Sequence, residues 1–265
     1  MAAELVYNHP MLGVALGGGA ARGAAHIGAL TVLERAGIIP DIIVGTSVGA
    51  VIGAAYAAGV PLAEISERFH TARWSSLARF ARPGALSLLS LHPLEALLQE
   101  SLGTLTFADL RFPFAAVACD LVTGARVILD SGAVAPAVRA SLAIPGLFPP
   151  VVRGEQVLVD GGVVDDLPVE VTHERGAHIV LAVDLYPPPT GNHRPARLSE
   201  VLLTAWGLWS RGNHPRPDPT TCAVEPDIGR YSPWDFTAIS SMEEAGRLAT
   251  EYALPDLLQL LQQFR

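Results

Sequence analysis

The sequence predicts an α/β protein built on a mainly parallel central sheet with helices on both faces. Three observations lead there. Short apolar bursts alternate with helical-period segments along the chain. Two of the bursts end in glycine-rich turns that open the next helix, at 17–19 and 45–49. Half of the 265 residues are apolar and 17% are charged, enough to bury a sizeable core.

The elements follow in order. Gly13 to Leu16 reads as a buried strand, and a helix follows near Ala24 to Ala36. Ile42 to Val44 reads as a second strand, running into a helix near Ser47 to Ala58. Further strands are expected at Phe114 to Cys119, Arg126 to Leu129, Val157 to Val159 and Ile179 to Val183. Helices are expected near Leu62 to Thr71, Pro93 to Leu102, Ala133 to Ala143, Val169 to Arg175, Leu198 to Trp209 and Met242 to Phe264, with Pro255 kinking or interrupting the last. Pro187 to Pro195 and Arg211 to Pro219 read as surface loops. A single domain over 1–265 is expected, with a core about 12–185 and a helical and loop extension about 198–265.

Composition narrows the function. A net charge of −8 argues against a nucleic-acid binder. Cys119 and Cys222 lack metal-ligand spacing and read as reduced thiols of a cytoplasmic protein. Met1 to Pro10 has no basic start or apolar stretch of a signal peptide, and no apolar run is long enough to span a membrane. No metal or other cofactor is expected.

Gly45-Thr46-Ser47-Val48-Gly49 follows a strand and opens a helix, the context a nucleophile elbow requires. Its glycines permit the sharp turn that exposes a serine hydroxyl at a strand end. Gly17-Gly18-Gly19-Ala20-Ala21-Arg22-Gly23 is a second strand-to-helix loop. It fits either a nucleotide phosphate loop or an oxyanion hole. The nucleotide reading is the weaker: G-x-G-x-x-G fails in both registers, Asp41 precedes the second strand instead of following it, and no Gly-Lys-Ser/Thr exists. The oxyanion reading gains because the next strand delivers the serine. Asp160-Gly161-Gly162 places a carboxylate at a strand end before a tight turn, and Asp130 and Asp184 compete for the same role.

Together these motifs resemble the patatin-like phospholipase family, particularly its small bacterial members. Arg139 to Pro150, Ile179 to Leu185 and Pro226 to Phe236 resemble further family blocks, so the likeness runs over nearly the whole chain. The resemblance implies a three-layer α/β/α fold and a Ser–Asp dyad. In it Ser47 is the nucleophile and Asp160 the base. The amides of Gly18, Gly19, Ala20 and Val48 form the oxyanion hole, with Arg22, Gly45, Gly49, Gly161 and Gly162 in support. Two positions depart from the family pattern. Ala20 replaces a frequent glycine, and Asp165-Asp166-Leu167-Pro168 stands where many relatives have Asn-Asn-x-Pro. An ionised aspartate cannot donate a hydrogen bond as asparagine can, and extra carboxylates would raise the pKa of Asp160.

Arg22 reads as ordering the glycine loop or meeting a lipid phosphate. His26 reads as a packed helix histidine. His173 and His178 are the candidates for a third triad member, but read first as a solvated helix residue and a strand-entry residue. Arg68 to Leu94 carries Arg68, Arg73, Arg79 and Arg82 with no acid among them, interleaved with Phe69, Trp74, Phe80 and several leucines. It reads as a cap over the site, as a lipid-facing element in peripheral contact with a membrane, or both. The expected activity is metal-independent hydrolysis of lipid acyl esters through an acyl-enzyme. The alternatives are a Ser–His–Asp esterase of the α/β-hydrolase type and a non-catalytic lipid-binding protein of the same fold. The oligomeric state is left open.

Overall fold

The computed structural model describes residues 10–73, 77, 79–82, 86–186, 201, 204–209 and 218–263. Strand β1 (Leu12–Leu16) leads through a 3-10 turn, Ala20–Gly23, into α1 (Ala24–Arg35). Strand β2 (Ile42–Thr46) leads into α2 (Val48–Ala57), and α3 (Leu62–Thr71) follows. A small hairpin, β3 (Arg79–Phe80) with β4 (Leu89–Ser90), precedes α4 (His92–Leu102). Then come β5 (Phe114–Asp120), β6 (Arg126–Leu129), α5 (Val134–Ser141), β7 (Val151–Arg153) and β8 (Gln156–Asp160). Helix α6 (Val169–Glu174), β9 (Ile179–Val183), β10 (Thr221–Val224) and α7 (Ile239–Gln263) complete the chain.

The central sheet is mixed and largely parallel. Strands β10, β9, β1, β2 and β5 are consecutive parallel neighbours. Strands β6 and β8 both pair antiparallel with β5, and β7 pairs antiparallel with β8. The registers matter for the site. Strand β6 covers Ala116 to Cys119 of β5, overlapping the stretches paired with β2 and with β8. A strand has two edges, so β2 and β8 must share the other one. They lie end to end along it, pointing at each other. Thr46 ends β2 opposite Val117, and Asp160 ends β8 opposite Ala118.

Alternation sorts the strand residues between two cores. Val14, Leu16 and Ile43 join the larger core with α1, α2, α5 and α7. Ala15, Ile42 and Val44 face the other side, against Leu167, Val169 and Val171 around α6. The three-layer α/β/α arrangement is therefore present, with unequal helical layers. Close backbone contact joins α1 to α7: a Cβ on Gly28 would lie 2.0 Å from Glu243 O, and one on Gly246 would lie 2.0 Å from Ala25 O.

Two expectations change. Helix α7 runs through Pro255 without a break. Its packing on α1 and the φ of proline both suit a helix, so only one backbone donor is lost. Strands β7 and β10 and the β3–β4 hairpin are additions, each of four residues or fewer. Of the helix expected near 198–209, residues 201 and 204–209 are helical. The loops at 187–195 and 211–217 lie outside the described residues.

Candidate active site

Ser47 sits between β2 and α2 with φ 55° and ψ −121°, a conformation that costs a non-glycine residue roughly 1–3 kcal/mol. The surroundings hold it there. Its N–H donates to Ser141 Oγ at 2.9 Å, and that hydroxyl donates to Val117 O at 2.6 Å. The Ser47 carbonyl accepts from the amides of Ala50 and Val51. A Cβ on Gly45 would lie 2.5 Å from Ala50 N, and one on Gly49 would lie 2.1 Å from Leu16 O. Both glycines of the elbow are thus required by the close approach of helix and strand.

The end-to-end meeting of β2 and β8 brings Asp160 to the same place. Thr46 Oγ1 donates to Asp165 O at 2.9 Å, tying the elbow to the aspartate loop. A Cβ on Gly161 would lie 2.4 Å from Val117 O, so the turn after Asp160 is pressed against β5. Gly162 N–H donates to Asp160 Oδ1 at 2.8 Å. Burial pushes the Asp160 carboxyl up to about 7, while the Ser47 side chain and the Gly162 amide pull it down. Asp160 Oδ2 is buried without a hydrogen-bond partner, so the Ser47 contact is looser than a formed bond.

The glycine loop closes the third side. Gly17 N–H donates to Val183 O, Gly18 N–H to Asp166 O at 3.1 Å, and Ala21 N–H to Pro233 O at 2.8 Å. This revises one expectation: the Gly18 amide is spent on Asp166 O. The amides of Gly19, Ala20 and Val48 remain without an intramolecular partner among the described residues. Ala20 takes φ 53°, where glycine would be unstrained. Arg22 is committed to the loops around it, with Nε and Nη2 donating to Tyr231 O and Nη1 to Leu185 O. His26 is fully buried, and its Nε2 lies 2.8 Å from Gly17 O. Burial lowers its pKa to about 4, so the ring is neutral and Nε2–H donates to that carbonyl.

Ser47 and Ala20 line two compartments. One is an apolar cavity of about 150 Å³ walled by Val51, Ala55, Phe69, Leu94, Leu98 and Phe148. The other is a small polar cleft bordered by Gly19, Asp160, Asp166, Tyr186, Trp206 and Trp234.

The competing residues are engaged with other partners. Asp130 pairs with Arg175, and Asp184 Oδ1 accepts from Tyr186 N–H. His173 Nδ1 is bonded to Ala177 O, and His178 Nδ1 accepts from Met11 N–H. Neither histidine lines either compartment. The 68–94 segment divides. Arg68 donates to Glu64 and Ser101, and Phe69 and Leu91 line the apolar cavity. Leu86 and Leu88 are exposed, at 81% and 66%. Trp74 is outside the described residues. Sequence reasoning missed Ser141, Tyr186 and Trp234 as site neighbours. Each lay within or next to a family-like block, but nothing local marked it as facing the serine.

Comparison with known proteins places the chain in a family. An uncharacterized NTE family protein of Mycobacterium tuberculosis is 34% identical over 94% of this chain and 48% of its own length. Lysophospholipase NTE1 of Mycosarcoma maydis is 32% identical over 89% of this chain and 13% of its own length. The chain thus spans about half, or much less, of these relatives. In fold it is similar to VipD from Legionella pneumophila, with TM-score 0.60, 13% identity, and coverage of 97% of this chain and 67% of that one. The SpcU–ExoU complex of Pseudomonas aeruginosa gives TM-score 0.51 and 17% identity, covering 96% of this chain and 53% of that one. The family model described as patatin-like phospholipase matches residues 14–173, and the chain belongs to that family.

Proposed function

We propose that the chain is a serine acyl hydrolase that cleaves acyl esters of lipids through Ser47 and Asp160. One observation carries the reading: Ser47 stands at the junction of an apolar cavity and a polar cleft, beside a buried carboxylate and unpartnered amides. The acyl chain enters the apolar cavity. Asp160 takes the Ser47 proton as the hydroxyl attacks the ester carbonyl, and a base with pKa about 7 suits that transfer near neutral pH. The amides of Gly19, Ala20 and Val48 receive the developing oxyanion. Asp160 passes that proton to the leaving alcohol oxygen, and the alcohol departs through the polar cleft. Water, its proton now taken by Asp160, attacks the acyl-enzyme, and the proton returns to Ser47 Oγ as the fatty acid leaves. Lipid surfaces are met through the exposed hairpin.

The histidine placements favour the dyad over a triad. Beyond His26, His173 and His178, His70 faces Glu243 and His92 faces Glu95. His9, His193 and His214 lie outside the described residues. The test combines labelling and turnover. A fluorophosphonate should label the wild type and not Ser47→Ala. Ser47→Ala and Asp160→Asn should each stay folded and lose at least about 10³-fold in kcat on long-chain monoacylglycerols and lysophospholipids. Labelling that survives Ser47→Ala, or a folded His→Gln variant as inactive as Ser47→Ala, refutes the dyad.

A further inference from the structure

We propose that Asp166 enters this reaction as a neutral carboxylic acid, its Oδ2 hydroxyl donating a hydrogen bond to an oxygen on the leaving-alcohol side of the bound ester. The proposal rests on the Ser47–Asp160 reading above and adds a second carboxyl with a different task.

The position of Asp166 is built. It is 2% exposed and borders the polar cleft together with Ser47 and Asp160. A Cβ on Gly18 would lie 2.4 Å from its Oδ1, and one on Gly162 would lie 2.8 Å from the same atom. Two glycines of the site motifs therefore make room for this carboxyl. Its Oδ2 is buried with no hydrogen-bond partner among the described residues. A buried polar atom left unpaired costs roughly 1–3 kcal/mol, so this oxygen, on a residue that borders the cleft, has a partner to gain when substrate arrives.

The surroundings decide its protonation. Asp160 faces it from the end of β8, Asp184 from the end of β9, and Asp165 from its own loop. Tyr186, also near, is neutral, its hydroxyl pushed far up by burial and by Asp166, Asp160 and Asp184. The guanidinium of Arg22 is bonded to Tyr231 O and Leu185 O, and Arg126 is bonded to Asp165. Burial and three acidic neighbours hold Asp166 well above the usual carboxylate range. Asp160 differs because the Gly162 amide and Ser47 favour its charged form. The environments push two adjacent carboxyls apart, leaving one to accept a proton and one to keep it. A protonated carboxyl is also what an electron-rich alcohol or phosphate oxygen tolerates beside Asp160; an ionised one would repel it.

Two measurements test this. Infrared difference spectra of the resting enzyme at pH 7, wild type minus Asp166→Asn, should contain a protonated-carboxyl C=O band. This readout needs no turnover, so it stands apart from any failure of the dyad. The profile of kcat/KM against pH, measured with a monoacylglycerol, should show an alkaline limb in the wild type. Asparagine supplies an N–H donor that does not titrate, so Asp166→Asn should lose about tenfold at pH 7 and lose the alkaline limb. Asp166→Ala, without a donor, should lose about 10³-fold, mostly in kcat. Absence of the band, an alkaline limb unchanged in Asp166→Asn, or equal losses in the Asn and Ala variants overturns the proposal. If Ser47→Ala still turned over substrate while the band was present, the dyad would fall and the neutral Asp166 would not.

Discussion

Among the contacts that hold the positive φ of Ser47, one comes from a side chain, the hydroxyl of Ser141. Ser141 Oγ accepts from the Ser47 N–H and donates its O–H to Val117 O, so one side chain ties α5 to the elbow after β2 and to β5 at a residue of positive φ. Removing it takes the acceptor from the buried Ser47 N–H and one donor from Val117 O. Ser141→Ala is therefore expected to lower the free energy of unfolding by about 1–3 kcal/mol. The turn that aims the Ser47 hydroxyl should loosen with it, so kcat should fall by about tenfold with KM little changed. Urea unfolding and steady-state kinetics on one preparation check both parts. Unchanged kcat in a destabilised variant would make Ser141 a packing residue alone. The elbow itself was legible in the sequence, because its glycines and serine are adjacent in the chain. Ser141 was not, because its partner is 94 residues away and a serine in a helix carries no mark of what it touches.

At the scale of elements the same contrast holds. The units β1–loop–α1 and β2–elbow–α2 follow from local pattern: an apolar run, glycines, then a helix. The position of Asp160 relative to Ser47 depends on β8 running antiparallel along the edge of β5 that β2 also uses. No periodicity encodes that, and it is why a strand-end aspartate remained one of several candidates. The Gly18 amide likewise is taken by Asp166 O, a contact between distant loops. The basic, apolar segment reads as a cap or a lipid-facing element, and its parts divide between cavity wall and exposed surface. Phe69, Leu91 and Leu94 wall the cavity, whereas Leu86 and Leu88 project from the β3–β4 hairpin beside Arg79 and Arg82. The hairpin is anchored by Leu88 N–H to Gly146 O and Leu89 N–H to Leu147 O, both at 2.9 Å. An arginine near an anionic surface contributes about 1 kcal/mol, and exposed leucines can enter the interface. The variant Arg79→Glu/Arg82→Glu/Leu86→Asp is expected to lose at least about tenfold in partitioning onto anionic vesicles, while turnover of a soluble short-chain ester stays intact. Co-sedimentation at low and high salt measures it. Vesicle binding equal to wild type would leave the hairpin as cap alone.

Over the whole molecule, the sheet's carboxyl edge concentrates acid that folding must bury. Asp160, Asp165 and Asp166 are all buried, and all three pKa values are raised, chiefly by desolvation. A carboxyl raised in the folded state is protonated in both states below its unfolded value of 3.8 and adds nothing there. As pH climbs from 3.8 toward about 7, the unfolded chain releases that proton first, so Asp160 subtracts stability progressively, reaching about 4 kcal/mol above pH 7. His26 works in the opposite sense. Its folded value of about 4 lies below its unfolded 6.5, so its contribution is present above pH 6.5 and is lost as pH falls toward 4. Between these limits the two effects oppose each other, and above pH 7 the carboxyl penalty stands alone. The group proposed as the base is thus held in its active, ionised form at the expense of the fold. Asp160→Asn keeps the Gly162 hydrogen bond and removes the buried charge. It should raise the free energy of unfolding at pH 8 by roughly 2–4 kcal/mol, raise it little at pH 4, and abolish turnover at both. Denaturant midpoints for wild type and variant at the two pH values decide the matter. An equal gain at pH 4 and pH 8 would mean that the variant acts through packing and that Asp160 is not ionised in the folded protein at pH 8.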